Sequence, residues 1–193
     1  MGNSIRFLFV LALLIIFGVF GTVFLIKQIT HTNTALLGKP TVVHAADFID
    51  VANSTVSWTE QGRLLGDDQR RAVRITVSAT DRQVELLGGY NQTLEKSITQ
   101  PNNKTAYTTF LTALENLHFG QNRIVKQGDE RGNCPLGFRY IYEIHKGSDQ
   151  KLHIWSDSCN AANGTFAGDA LTTRQLFKAQ ITDYNQFVAG VEF

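Results

Sequence analysis

The sequence predicts an α+β fold: an antiparallel sheet packed against a main helix and a C-terminal helix, preceded by an N-terminal transmembrane helix. Three observations carry this. Residues 72–79, and 138–144 and 152–154 on the two arms of a hairpin, alternate apolar and polar side chains with period two. Residues 102–120 carry one apolar stripe at helical spacing. Residues 7–26, "FLFVLALLIIFGVFGTVFLI", contain no charge.

As a helix, that charge-free run would be about 30 Å long, the thickness of a bilayer's hydrocarbon core. A signal-peptide core is shorter, about 7–15 residues. The run is therefore read as an uncleaved anchor behind a short tail, residues 1–6. Residues 27–53, rich in Thr, Asn and His and interrupted by Pro40, read as a stalk. The α+β domain is assigned to residues 54–193. The formal net charge of +1 and the mixed signs of "DDQRRAVR" give nucleic-acid binding no support.

The strands follow in order. "TVSWTEQGRLL" is β-branched and aromatic. In "AVRITVSA", Val73, Ile75, Val77 and Ala79 face one side while Arg74, Thr76 and Ser78 face the other. "RQVELL" is a third strand, "GGYNQ" a turn, and "TLEKSIT" a fourth strand ending at Pro101. The helix comes next. Asn102 or Asn103 is placed to cap it, Tyr107, Phe110, Leu111, Leu114 and Leu117 form its stripe, and Gly120 is expected to close it in the left-handed conformation. A last helix from about residue 173 to 180 is expected behind a capping box of Thr172 and Gln175, burying Leu176, Phe177, Tyr184 and Phe187.

"GNCPLGFRYIYEIHKGSDQKLHIWSDSCN" reads as a hairpin turning at "KGSD". Matching its apolar faces pairs Tyr142 with Leu152, Tyr140 with Ile154 and Glu143 with Lys151. Cys134 and Cys159, the two cysteines, then fall one residue out of step at the open end, and a bulge near "CPLG" would align them. The pair is read as a disulfide, which places the domain in an oxidising, extracytoplasmic compartment.

"GGYNQTLEKSITQPNNKTAYTTFLTALENLHFG" and "LFKAQITDYNQF" resemble uncharacterised membrane-anchored proteins of Saccharibacteria and related candidate-phylum bacteria. The resemblance implies a bacterial envelope setting and carries no activity.

Catalytic signals are weak. Ser148-x-x-Lys151 matches the Ser-x-x-Lys of penicillin-binding enzymes but falls on a turn, where the helix that motif needs is absent. In the expected register His145 and His153 stand roughly 13 Å apart, too far to share a metal. No metal-binding pattern joins them, and no cofactor is called for. Asn53, Asn91, Asn103 and Asn163 begin Asn-x-Ser/Thr triplets, which would be glycan acceptors in a eukaryotic secretory protein and mean little in a bacterial one. Trp155, with His153 and Arg139, is placed on the exposed face of the hairpin as a recognition candidate; Tyr90 at a loop tip is another. The function expected is a single-pass, non-catalytic binding module of the cell envelope, meeting the membrane through its N-terminal helix and an envelope protein or peptide through its domain. A pilin-like subunit and an envelope hydrolase are the alternatives.

Overall fold

The computed structural model describes residues 42–125, 129–160 and 163–193. The charge-free run and most of the stalk lie outside the described residues. Among those residues no helix is long and apolar enough to cross a membrane. Pro40–Phe193 is one compact unit.

The unit is α+β. Strands β1 (Ser54–Gln61), β2 (Arg71–Ser78), β3 (Asp81–Gly88) and β4 (Thr93–Pro101) form a meander. Helix α1 (Lys104–Asn116) follows, then the hairpin of β5 (Arg139–Lys146) and β6 (Asp149–Asp157), then α2 (Ala170–Lys178) and the one-turn α3 (Tyr184–Phe187). The six strands stand in the order β4-β3-β2-β1-β5-β6, each antiparallel to its neighbour. The hairpin therefore pairs with β1, across the sheet from the strand that precedes α1.

The alternation decides which face is the core. Val56, Trp58, Val73, Ile75, Val77, Val84, Tyr142, Ile144 and Ile154 are buried together with Tyr107, Phe110, Leu111 and Leu114 of α1 and Phe177 of α2. Phe119 sits at the centre of the aromatic cluster, with its ring 5.9 Å from Tyr142 and 5.9 Å from Phe177. The Ser54 and Tyr107 hydroxyls meet at 3.1 Å, a buried polar tie between β1 and α1.

Caps follow the sequence at the start of α1 and depart from it at the end of α1 and the start of α2. Asn103 accepts the Ala106 N–H at 2.9 Å and caps α1. The left-handed residue beyond α1 is His118, with φ 58°, not Gly120. Gly120 is required for a different reason: a Cβ there would overlap the Val43 carbonyl, because segment 42–48 runs against it. Helix α2 starts three residues earlier than expected, since the carboxylate of Asp169 takes the Thr172 N–H at 3.0 Å and caps it. Residues 42–53, read as the end of the stalk, pack on the domain: Ala45 is fully buried, and His44 meets Glu115 of α1 at 2.6 Å.

The hairpin register is shifted by two residues from the expected one. Tyr142 faces Ile154, Ile144 faces Leu152, and Glu143 faces His153. The turn is the two-residue Gly147-Ser148, with Gly147 at φ 57°, and the irregularity lies between Ile144 and His145. Aromatic and aliphatic residues fit either register on the core face. The tight turn, which needs positive φ, decides between them.

Candidate functional site

Antiparallel pairing sends several connections to one end of the sheet. Gln61 is level with Ala72 and Arg139, Arg71 with Gly88, and Arg139 with Asp157. The β1–β2 loop, the β3–β4 turn, the segment entering β5 and the segment leaving β6 all emerge there. Their ties are direct. The Leu64 N–H donates to the Pro135 carbonyl at 2.8 Å. The Tyr90 N–H donates to Asp67 at 2.7 Å, and the Tyr90 phenol donates to the Leu65 carbonyl at 2.9 Å. Asp67, of the adjacent pair Asp67-Asp68 that reads in the sequence as a solvated turn, thus links two loops.

Two arginines lie beneath this end. Arg139 is 1% exposed and donates to the carbonyls of Gly62 and Asn133. Arg70 is 4% exposed, donates to the Gly89 carbonyl at 2.8 Å, and lies 4.6 Å below the Tyr90 ring. Arg70 ties down the β3–β4 turn, and Arg139 ties down both the β1–β2 loop and the segment entering β5, by filling backbone acceptors that water would otherwise hold. Burial, and then the neighbouring Arg70 charge, holds the Arg139 pKa below its usual range. Above them the loop end presents apolar side chains to solvent: Leu136 at 84%, Tyr90 at 50% and Leu65 at 37% exposure.

Cys134 and Cys159 are joined by a disulfide, with Cα atoms 5.7 Å apart. The alignment comes from a tight turn, Gly137 N–H to Cys134 carbonyl at 3.1 Å, in which Cys134 takes φ 47°. Asp157 lies close to both sulfurs. Its carboxylate is committed to the N–H groups of Cys159 and Asn160 and to the Asn163 amide, so it shapes the loop after β6. Sulfurs bonded to each other offer no thiolate to a metal.

On the sheet face away from α1, His153 is clamped between two carboxylates. Its Nδ1 is 3.0 Å from Glu143 and its Nε2 is 3.3 Å from Glu130. His145 Nε2 lies 3.8 Å from the other oxygen of Glu143, which also accepts the Ser57 hydroxyl at 3.3 Å. Hydrogen bonds to Glu130 and Glu143 outweigh burial and raise the His153 pKa to about 9. Glu130 is held below its usual range by the same imidazole. Burial pushes Glu143 up, but His153 overrides it and the net shift is downward. With both ring nitrogens engaged by carboxylates, the imidazole is a resident cation. Ser57 gives its proton toward a carboxylate and not toward a histidine, so this is a fixed ion cluster, not a nucleophile with its base.

The candidates read from sequence divide accordingly. Tyr90 stands exposed at a loop tip. Trp155 and Arg139, expected on an exposed face, are 2% and 1% exposed and are corrected to buried residues. The face is not open at their level, because loops fold over it: Asn133 accepts from Arg139 and Glu130 meets His153. At the outer edge, Thr165 accepts the Trp155 N–H and Phe166 donates to the Trp155 carbonyl, so segment 163–166 covers the backbone of β6. His145 and His153, expected too far apart to cooperate, flank one carboxylate because the register shift brings their positions within two residues along the strands. Leu65, Arg70, Glu130 and Leu136 were missed. For Leu136 the signal was present, since "CPLG" sets a leucine inside a turn; Leu65 closes the run "TVSWTEQGRLL" read as strand, which ends at Gln61 and leaves Leu65 in the loop.

No protein-family model, no curated protein and no solved structure matches the chain.

Proposed function

We propose that this chain is a single-pass membrane protein of the cell envelope, anchored by residues 7–26, whose extracytoplasmic domain binds a protein or peptide partner through the loop end of its sheet. The observation that carries the reading is the set of cross-tied loops holding Leu65, Tyr90 and Leu136 in water above two buried arginines. Large apolar side chains on pinned backbone lose little conformational freedom on binding, which is the property of an interaction platform. The disulfide supports the oxidising compartment. The charge-free run supports the anchor.

Photo-cross-linking in intact cells tests it. A photoreactive residue at position 65, 90 or 136 should give one discrete adduct. The same residue at Ile98, on edge strand β4 and 39% exposed, should not give that adduct. Equal adducts from both ends, or none from the loop end, would refute the assignment.

A further inference from the structure

A hollow of about 480 Å³ lies beside the loop end, between the start of α2 and the ends of β5 and β6. Its size is that of an ordinary small-ligand site. Its charges are balanced: Arg123 and Arg174 face it, as do Asp157 and Asp169, with Phe166 and Leu171 as apolar wall.

Arg174 is built as a receptor. Its Nε donates to the Ala170 carbonyl at 3.1 Å, and its guanidinium stacks 4.0 Å from the Tyr140 ring centre. These contacts fix the plane of the group. They leave the terminal amino groups without a carboxylate partner among the described residues, and a fixed fork of N–H donors matches a carboxylate bidentately. The two aspartates are oriented as firmly. Asp169 is held by the backbone and hydroxyl of Thr172, and Asp157 by three N–H donors. The Oδ2 of Asp169 accepts from the Thr172 hydroxyl and that of Asp157 from the Asn163 amide, and a carboxylate oxygen can accept a second hydrogen bond, here from a cation. A simple anion would gain from Arg174 and be repelled by the aspartates; a simple cation meets the reverse.

We infer that this hollow binds a zwitterion of amino-acid to dipeptide size, its carboxylate on Arg174 and its ammonium against Asp157 and Asp169. The wall of Phe166 and Leu171 favours an apolar side chain on the ligand. The site is separate from the exposed loop tips, and it stands or falls independently of the partner proposed for them.

Titration calorimetry on the full chain in detergent tests it, with three probes: glycyl-leucine, its C-terminal amide and its N-acetyl form. Glycyl-leucine should bind with a Kd of about 1 mM or tighter. The amide, which lacks the carboxylate, and the acetyl form, which lacks the ammonium, should each bind at least about tenfold more weakly, a difference of about 1.4 kcal/mol. Arg174→Gln should lose at least the same factor, while Leu94→Ala, exposed on edge strand β4 and outside the hollow, should bind like the parent. Should Arg174→Gln fail to fold, Arg174→Lys keeps the charge without the fork, and the probe comparison on the unchanged protein decides by itself. No heat from glycyl-leucine, equal affinity for all three probes, or an Arg174→Gln protein that binds like the parent would overturn the assignment.

Discussion

Leu64 donates its backbone N–H to the carbonyl of Pro135 at 2.8 Å, joining the β1–β2 loop to the turn that carries Cys134. Through this bond the disulfide reaches beyond its own hairpin. It holds the Cys134 turn, the turn holds the β1–β2 loop, and Tyr90 holds that loop in turn through Leu65 and Asp67. The loop end is therefore expected to behave as one unit.

Replacing Cys134 and Cys159 by serine tests this coupling. The bond spans 25 residues, and closing such a loop is worth about 3–4 kcal/mol in the chain-entropy model. Denaturant unfolding should show a loss of that order. Amide exchange at Leu64 and Tyr90 should accelerate more than at Val56 and Ile75, in the middle of the sheet.

The helix face gives a second expectation. Leu114 is fully buried between α1 and the sheet, so Leu114→Ala should cost about 2–5 kcal/mol. Leu136 is 84% exposed, so Leu136→Ala should stay within about 0.5 kcal/mol in the same assay. A costly Leu136→Ala would mean that this residue packs within the domain.

Gly120 gives a third. A Cβ at this position overlaps the Val43 carbonyl, and neither backbone has a flexible end to move. Gly120→Ala should lower stability by about 1–3 kcal/mol, the usual cost of overpacking. Its signature should be release of residues 42–48, read as faster exchange at the Val43 N–H, which donates to the Gly120 carbonyl.

The His153 clamp gives a pH dependence. The histidine pKa is raised from 6.5 to about 9, so its contribution is complete below about pH 6.5 and is lost as pH climbs through 9. Glu130 and Glu143 are lowered from 4.5, so theirs is present above that value and is lost in acid. The difference in Tm between the parent and His153→Gln should be widest between about pH 4.5 and 6.5 and vanish above about pH 10. An NMR titration placing the His153 ring near 6.5 would contradict the clamp.

Much of this architecture was legible in the sequence. Period-two runs marked the strands, the Tyr107-to-Leu114 stripe marked α1 and its buried face, and "GGYNQ" marked the β3–β4 turn. What failed depended on contacts distant in sequence. Tyr140, Tyr142, Phe138 and Ile144 satisfy the core face in two registers, and only the choice of the Gly147-Ser148 turn separates them. Arg139 and Trp155 alternate with core residues and so read as exposed. Alternation reports which side of a sheet a residue is on; it does not report that loops 62–70 and 129–138 return over that side. The loop end itself left only turn residues and isolated leucines as its trace, because its geometry comes from strand order.

The mass of the intact protein, taken without reduction from carbonate-washed membranes, distinguishes an anchored, disulfide-closed domain from a released or reduced one. It reads the anchor and the Cys134–Cys159 disulfide in one number. The protein should stay with the membrane, retain residues 7–26, and weigh two hydrogens less than its fully reduced form. A released species beginning beyond residue 26, or one carrying two free thiols, would contradict it.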